Sequence, residues 1–218
     1  MHNPPCIPGR QQSRGEELAN SLSHSLGLVA TLVAGPVLIA QALDQDNTGY
    51  VIGASLFALS MVLLYLASSV YHALPQGKAK HLLRIVEHSA IYVLIAGTYS
   101  PFLLGVLNGL WGWILLGVIW TLALAGVILK VTQRLSHPIL STGLYLLMGW
   151  LIVLMIQPLT EALSGTGLAW LVGGGVAYSI GVLFFVLDSS LLYGHFIWHL
   201  FVMAGTSCHY VAVFWYAI

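Results

Sequence analysis

Apolar residues run through this chain in long unbroken blocks rather than in alternating or one-sided stripes. A bilayer core of ~30 Å is crossed by roughly 20 apolar residues in a helix. Seven blocks of about that length can be marked: Leu22–Leu43, Tyr50–Tyr71, Val86–Leu107, Leu110–Leu129, Ile139–Leu159, Leu168–Leu187 and Phe196–Ile218. Short polar connectors separate them, among them "DQDNTG", "LPQGKAKH", "NG", "TQRLSHP" and "SGTG", all carrying turn-forming residues. Each block is apolar all round, so the pattern predicts a helix without saying which side meets lipid. The expected fold is an all-α membrane protein, a seven-transmembrane helix bundle over residues 21–218 preceded by a tail over residues 1–20.

Composition agrees. The chain is 58% hydrophobic and 6% charged, against about 25% charged for a soluble domain, so no water-soluble surface can be built from it. Its formal net charge is zero, which excludes nucleic acid as an expected partner and leaves membrane lipids. Cys6 and Cys208 lie at opposite ends of the chain and fit neither a structural disulfide nor a metal motif. The opening "MHNPPCIPGRQQSRGEE" has prolines where a cleaved leader needs its apolar core, so no cleavage is expected.

Charge sets the predicted orientation. With the spans above, all seven Lys and Arg fall on one side: Arg10, Arg14, Lys78, Lys80, Arg84, Lys130 and Arg134. The opposite loops hold Asp44, Asp46 and Glu161. The positive-inside rule then places the N-terminus in the cytoplasm and the C-terminus outside, opposite to the G-protein-coupled receptors. Gly173, Ala177 and Gly181 form a small-residue row expected to pack against another helix. Pro101 is expected to kink the third span, with Thr98 and Ser100 at hand for freed backbone groups, and Pro36 to act similarly in the first. Trp111, Trp113 and Trp170 read as interfacial anchors at the outer face.

Against this background the ionisable residues converge. Span direction brings His24, His72, Glu87, His88, Asp188, His195 and His199 to one layer near the inner face, although they are scattered in sequence. In "YGHFIWHLFV", His195 and His199 are four apart, hence about 40° apart around a helix and ~6 Å along it. Their imidazoles can close on one ion, and His72 can add a third nitrogen. Three protein ligands with an open position is the arrangement of catalytic zinc sites, although imidazole donors also suit copper, nickel or iron. A histidine near a helix end serves equally well as an interhelical hydrogen-bonder, and a bare HxxxH is a weak pattern. The metal reading gains from ionisable residues inside a membrane being functional by default.

Ser68, one turn before His72, can bond its own backbone or touch a metal-bound water. Glu87 can be a ligand, a partner orienting an imidazole, a base for bound water, or a mate for Arg84 one turn away. His88 points about 100° from Glu87, so Glu87 is favoured for the site. Asp188 is expected in headgroup water at the loop. His209 lies ten residues past His199, ~15 Å along the helix, in another layer. His81, His137 and His2 are placed in loops and tail with no claim on the site.

The combination "EELANSLSH", "ASSVYH", "EHSAIYVLIAGTYSPF" and "HFIWHLFVMAGTSCH" closely resembles the hemolysin III family, bacterial members of the progestin and adipoQ receptor superfamily, from Gly15 to the C-terminus. The resemblance implies a seven-helix fold with its N-terminus inside and a zinc ion, Zn2+, near the cytoplasmic face. The positions matching the family's ligands are His72, His195 and His199, and its serine matches Ser68. Its acidic residue at the start of the third helix is usually aspartate, whereas this chain has Glu87, one methylene longer. Glu17, Asn20 and His24 match a recurrent "E-x-x-N-x-x-x-H", expected to cap the first span and brace the inner layer.

The wider superfamily looks related to alkaline ceramidases. The resemblance therefore implies a zinc-dependent hydrolase of membrane-lipid amide or ester bonds, in the inner membrane of a bacterium, with Glu87 and Ser68 as catalytic residues. A non-enzymatic regulator of membrane lipid state with a bracing zinc is the alternative. A pore or transporter ranks last, because few polar groups lie in the outer half of the spans.

Overall fold

The computed structural model of the protein describes residues 10–107, 109–135 and 138–217. His2, Cys6 and His137 lie outside these residues. The described residues fold into eight α-helices in chain order: α1 (Arg14–Leu43), α2 (Thr48–Ala73), α3 (Lys78–Pro101), α4 (Leu110–Val131), α5 (Pro138–Trp150), α6 (Ile156–Ala162), α7 (Gly165–Val186) and α8 (Gly194–Tyr216). A 3₁₀ turn over Leu151–Met155 joins α5 to α6, so these two make one span. Seven stretches are thus long and apolar enough to cross a membrane, as the block pattern predicts. No β-strand occurs among the described residues.

Successive helices pack side by side, and α1 closes the ring against α8. The third span is the most enclosed and also reaches α5. On α1, by contrast, Leu18, Leu22, Leu26, Val29, Leu32 and Val33 form an exposed apolar face, the surface a lipid-bathed helix requires. Trp111, Trp113 and Trp170 are exposed as expected of belt anchors.

Helix ends follow their local chemistry. Asn47 caps α2 by accepting from Tyr50 N at 3.0 Å, and Asp46 takes the left-handed conformation that closes the preceding turn, φ 47°. Two helices start about two turns before their apolar blocks. For α1 the cause is a capping box at Ser13, whose side chain accepts from Glu16 N while Glu16 accepts from Ser13 N. For α3 the helix starts at Lys78 and carries polar residues into the bundle. Beyond Pro101 the third span continues as a π-helical turn, Phe102–Val106, the kind of local adjustment that accommodates a missing N–H. The hydroxyls of Ser100 and Thr98 donate to Ala96 O and Leu94 O, one turn back on their own helix.

The small-residue expectation for the sixth span needs shifting by one position. A Cβ on Gly173 would meet nothing, whereas one on Gly174 would run into the His209 ring and lie 3.0 Å from Gly205 O. Gly181 faces Phe201 and Trp198 of α8. The contacting row is therefore Gly174 and Gly181, seven apart, because α7 turns this stripe rather than the four-residue one toward α8. Gly174→Ala is expected to cost about 1–3 kcal/mol and lower the thermal unfolding midpoint in detergent. Gly173→Ala should leave that midpoint unchanged or slightly higher.

Candidate metal centre

Three segments deliver the donors. His72 is one residue from the end of α2, His195 and His199 occupy the first turns of α8, and Glu87 lies inside α3. One ligand atom from each of His72, Glu87, His195 and His199 falls within 4.8 Å of all the others, and all four residues are buried. The predicted convergence at one depth is thus realised. His88 and His209 stay out of the set: the His88 ring packs edge-on to Phe185, and His209 Nε2 lies 3.1 Å from Leu171 O.

Each imidazole is held from behind at Nδ1. His72 Nδ1 is 2.8 Å from Glu17 Oε2, and His195 Nδ1 is 3.1 Å from Asp188 Oδ2. His199 Nδ1 is 3.2 Å from Asn20 O and 3.1 Å from Ser23 Oγ, while that hydroxyl itself donates to Asn20 O. Carboxylates and carbonyls only accept, so Nδ1 carries the proton in each ring and Nε2 is left with a lone pair. This is the pattern by which outer partners fix the tautomer and direction of metal-ligating histidines.

The front of the site has no such donors. His72 Nε2 and His195 Nε2 are buried with no hydrogen-bond partner, and His72 Nε2 faces Glu87 Oε1 at 3.5 Å. Lone pairs facing at that distance repel unless a cation lies between them, either a proton or a metal ion. Donors on a four-coordinate ion with bonds of ~2.0–2.1 Å sit ~3.4 Å apart, so the spacing suits a shared ion. Charge points the same way. Glu16 pairs with Arg10 at 2.6 Å and Glu17 with Lys80 at 2.9 Å. Glu87 and Asp188 pair with no Lys or Arg among the described residues, only with the site histidines. Two carboxylates without a Lys or Arg partner beside three imidazoles match a divalent cation in charge as well as in donor type.

Ser68 donates to Glu87 Oε1 at 2.6 Å and is fully buried, so its hydroxyl serves the site rather than its own backbone. Arg84 contacts His81 Nδ1 at 3.2 Å, in place of the pairing with Glu87 considered above. Behind His72, Lys80 is buried, donating to Tyr71 O and Leu74 O at the end of α2 and pairing with Glu17. His24 stacks on His199 with ring centroids 3.5 Å apart and planes 7° from parallel.

Two expectations about outer residues are corrected. Glu17 does not cap α1, a task that Ser13 and Glu16 perform, but it keeps the bracing role also expected of it, holding His72 and Lys80. Asp188 is not simply in headgroup water, because its carboxylate reaches back to His195. The loop between α7 and α8 makes that possible. Tyr193 adopts a left-handed conformation, φ 57°, with its N–H donated to Glu16 Oε1 at 2.9 Å. Arg10, doubly bonded to Glu16, also donates to Leu191 O at 3.1 Å. A Cβ on Gly194 would lie 3.0 Å from Asp188 Cα, so glycine lets the loop fold closely against the start of α8 without the small shift a side chain would require. No periodicity in the sequence signals these contacts, since Asp188 and His195 belong to different elements.

A small, partly open cavity is lined by His24, Glu87, His88, His195 and His199 on its polar side. A larger one shares Leu64, Ile91, Trp198 and Val202 with it and lies between the third span, α5, α7 and α8 among mainly apolar side chains.

The chain has relatives among known proteins. The Hemolysin-3 homolog of Bacillus subtilis (strain 168) is 40% identical over 203 residues, covering 93% of this chain and 95% of that protein. Hemolysin-3 of Bacillus cereus is 42% identical over 203 residues, 93% of this chain and 92% of its own length. The human Monocyte to macrophage differentiation factor is 30% identical over 212 residues, 92% of this chain and 84% of its own. No solved structure matches the chain. The family model described as Haemolysin-III related matches residues 12–210, a stretch that holds every residue of the buried cluster together with Glu17, Asn20, Lys80 and Asp188, and the chain belongs to that family.

Proposed function

We propose that this protein is a zinc-dependent hydrolase of an amide or ester bond in a membrane lipid. It sits as a multi-pass protein in the inner membrane of a bacterium, with its N-terminus in the cytoplasm. The observation that carries the reading is the set of three imidazoles, each held at Nδ1 and gathered, one ligand atom apiece, with the buried carboxylate of Glu87. His72, His195 and His199 would hold the ion. Zinc, when bound, polarises a carbonyl and makes a water acidic enough to attack near neutral pH.

The remaining work falls to the chain's own residues. Glu87 accepts the proton of the attacking water as its oxygen bonds to the acyl carbon. The same carboxyl returns that proton to the departing amine or alcohol when the C–N or C–O bond breaks. Ser68 occupies one lone pair of Glu87 Oε1 and so fixes the direction from which the carboxylate takes the proton. Lys80 holds Glu17, and Glu17 holds His72. The adjoining apolar cavity offers room for a hydrocarbon chain while the acyl carbon stays at the cluster, which supports a lipid over a water-soluble substrate. Clustering of the basic residues at the helix ends nearest the site supports the cytoplasmic placement.

One observation favours a second reading. Glu87 stands close enough to His72 Nε2 to serve as a fourth ligand, and a closed four-ligand site is structural in character. The protein would then regulate membrane lipid state, with zinc bracing α2, α3 and α8. A pore finds less support, because Thr98, Tyr99 and Ser100 spend their hydroxyls on backbone carbonyls of the protein itself.

Metal analysis of the purified protein should find zinc in the wild type and none in His195→Ala. Mass spectrometry of lipids incubated with the two should show cleavage products only with the wild type. Wild type that holds zinc yet matches a His72→Ala control in every lipid product would defeat the hydrolase reading. Glu87→Gln separates the alternatives: the hydrolase loses turnover by ~10²–10⁴-fold and keeps its fold, whereas a braced regulator keeps its function or loses stability. Asp188→Asn should weaken zinc binding by ~10–100-fold, measured by competition with a chelator. An unchanged affinity would show that the loop carboxylate does not orient His195.

A further inference from the structure

His24 is the buried residue whose surroundings are hardest to account for as packing. Its residue surface is 2% exposed, and neither Nδ1 nor Nε2 has a hydrogen-bond partner. A buried polar atom left unpaired is costly, and buried polar groups are as a rule paired. Leucine or phenylalanine would fill the same space without that cost.

The ring is stacked on one side. One face lies on His199, 3.5 Å between centroids and 7° from parallel. Tyr65 packs edge-on at 5.1 Å. In-plane lone pairs of two parallel stacked rings do not converge, so His24 cannot share the ion that His199 would hold. Its nitrogens are correspondingly absent from the cluster of ligand atoms within 4.8 Å of one another. Yet His24 lines the same cavity as Glu87, His195 and His199. The ring it stacks on is held in place: Asn20, one helical turn earlier on α1, supplies a carbonyl to His199 Nδ1, and Ser23 beside His24 contacts the same Nδ1.

We propose that His24 is a ligand-binding residue, a neutral imidazole whose N–H donates to an acyl oxygen seated in the cavity next to the metal. The ligand class is a carbonyl or carboxylate at the end of a hydrocarbon chain, with the chain in the adjoining apolar cavity. This rests on the hydrolase reading and deepens it, since it gives the acyl group a protein donor besides the metal. It also explains why a histidine stacks on a histidine: the flat face shields His199, and the edge remains for the ligand. His24 forms no bond to the substrate and transfers no proton; it orients.

The test uses full-length protein in detergent with Co2+ in place of zinc, so that visible absorption of the cobalt reports ligation. Decanoate, a carboxylate of the class a hydrolysed acyl group would yield, is the probe, and its affinity is read from the change in the cobalt spectrum. His24→Phe keeps an aromatic face on His199 and removes both nitrogens, and His24→Leu removes them with a smaller side chain. Either variant that folds should take up cobalt like the wild type and bind decanoate about tenfold or more weakly. His24→Gln, which retains an N–H donor, should recover part of the loss. Equal decanoate affinity in wild type and in Phe or Leu variants would overturn the inference and leave His24 as packing. Loss of cobalt uptake in all three variants would likewise overturn it, making His24 a brace for His199. Wild type that takes up no cobalt would sink the metal centre itself and this inference with it.

Discussion

Inside the helix bundle, the bare Nε2 of His72 and a carboxylate oxygen of Glu87 are held face to face at 3.5 Å. Two acceptors keep that separation in a low-dielectric interior only if something positive lies between them or if the scaffold holds them there. The scaffold does hold them. Lys80 fixes Glu17, which fixes the far side of His72, and Ser68 fixes Glu87. α2 and α3 are therefore tied at this level by a line of charge-assisted hydrogen bonds, and a cation at the front would complete that line. The remaining histidines join from α8, braced by α1 and by the loop before α8.

That arrangement gives α1 a task that its lipid-facing surface would not suggest. Most of the helix presents leucine and valine outward, but one stripe, Glu16, Asn20, Ser23, His24 and Gly27, is buried against the site. Residues four and seven or eight apart share a helix face, so a single stripe supplies the carbonyl for His199, the ring that stacks on it and the carboxylate that grips the Tyr193 loop. Gly27 leaves room for Tyr65, the ring that packs edge-on to His24. The first two turns of α1 lie before the apolar block because these polar contacts, not lipid, stabilise them.

Much of this could be read from the residues alone. Block length and turn chemistry define seven spans, and chain reversal then decides which ends share a depth. Such reasoning brings His72, Glu87, His195 and His199 together without coordinates. It fails where a side chain's direction depends on a connector. Asp188 reaches His195 through a loop pinned by Arg10 and Glu16, and the place of Lys80 behind His72 depends on how the connector between α2 and α3 folds. Gly173 and Gly174 are adjacent and chemically identical, so only the rotation of α7 about its axis tells which one touches α8. Apolar blocks that are hydrophobic on all sides carry no record of that rotation.

The length of Glu87 is where chemistry and architecture meet. An aspartate at this place would draw its oxygens back by about one methylene and leave more space in front of His72. Glutamate closes part of that space, which is why the same geometry supports both a base and a fourth ligand. Two features weigh toward the base. Ser68 already claims a lone pair of the very oxygen that faces His72, which weakens it as a ligand without lessening its reach toward a water. The cavity beside Glu87 also shares Leu64, Ile91, Trp198 and Val202 with the larger apolar one, and a site that only braced helices would gain nothing from a chamber beside it. A bound acyl chain would give that chamber a use, and would place the carbon to be attacked between Glu87 and His24.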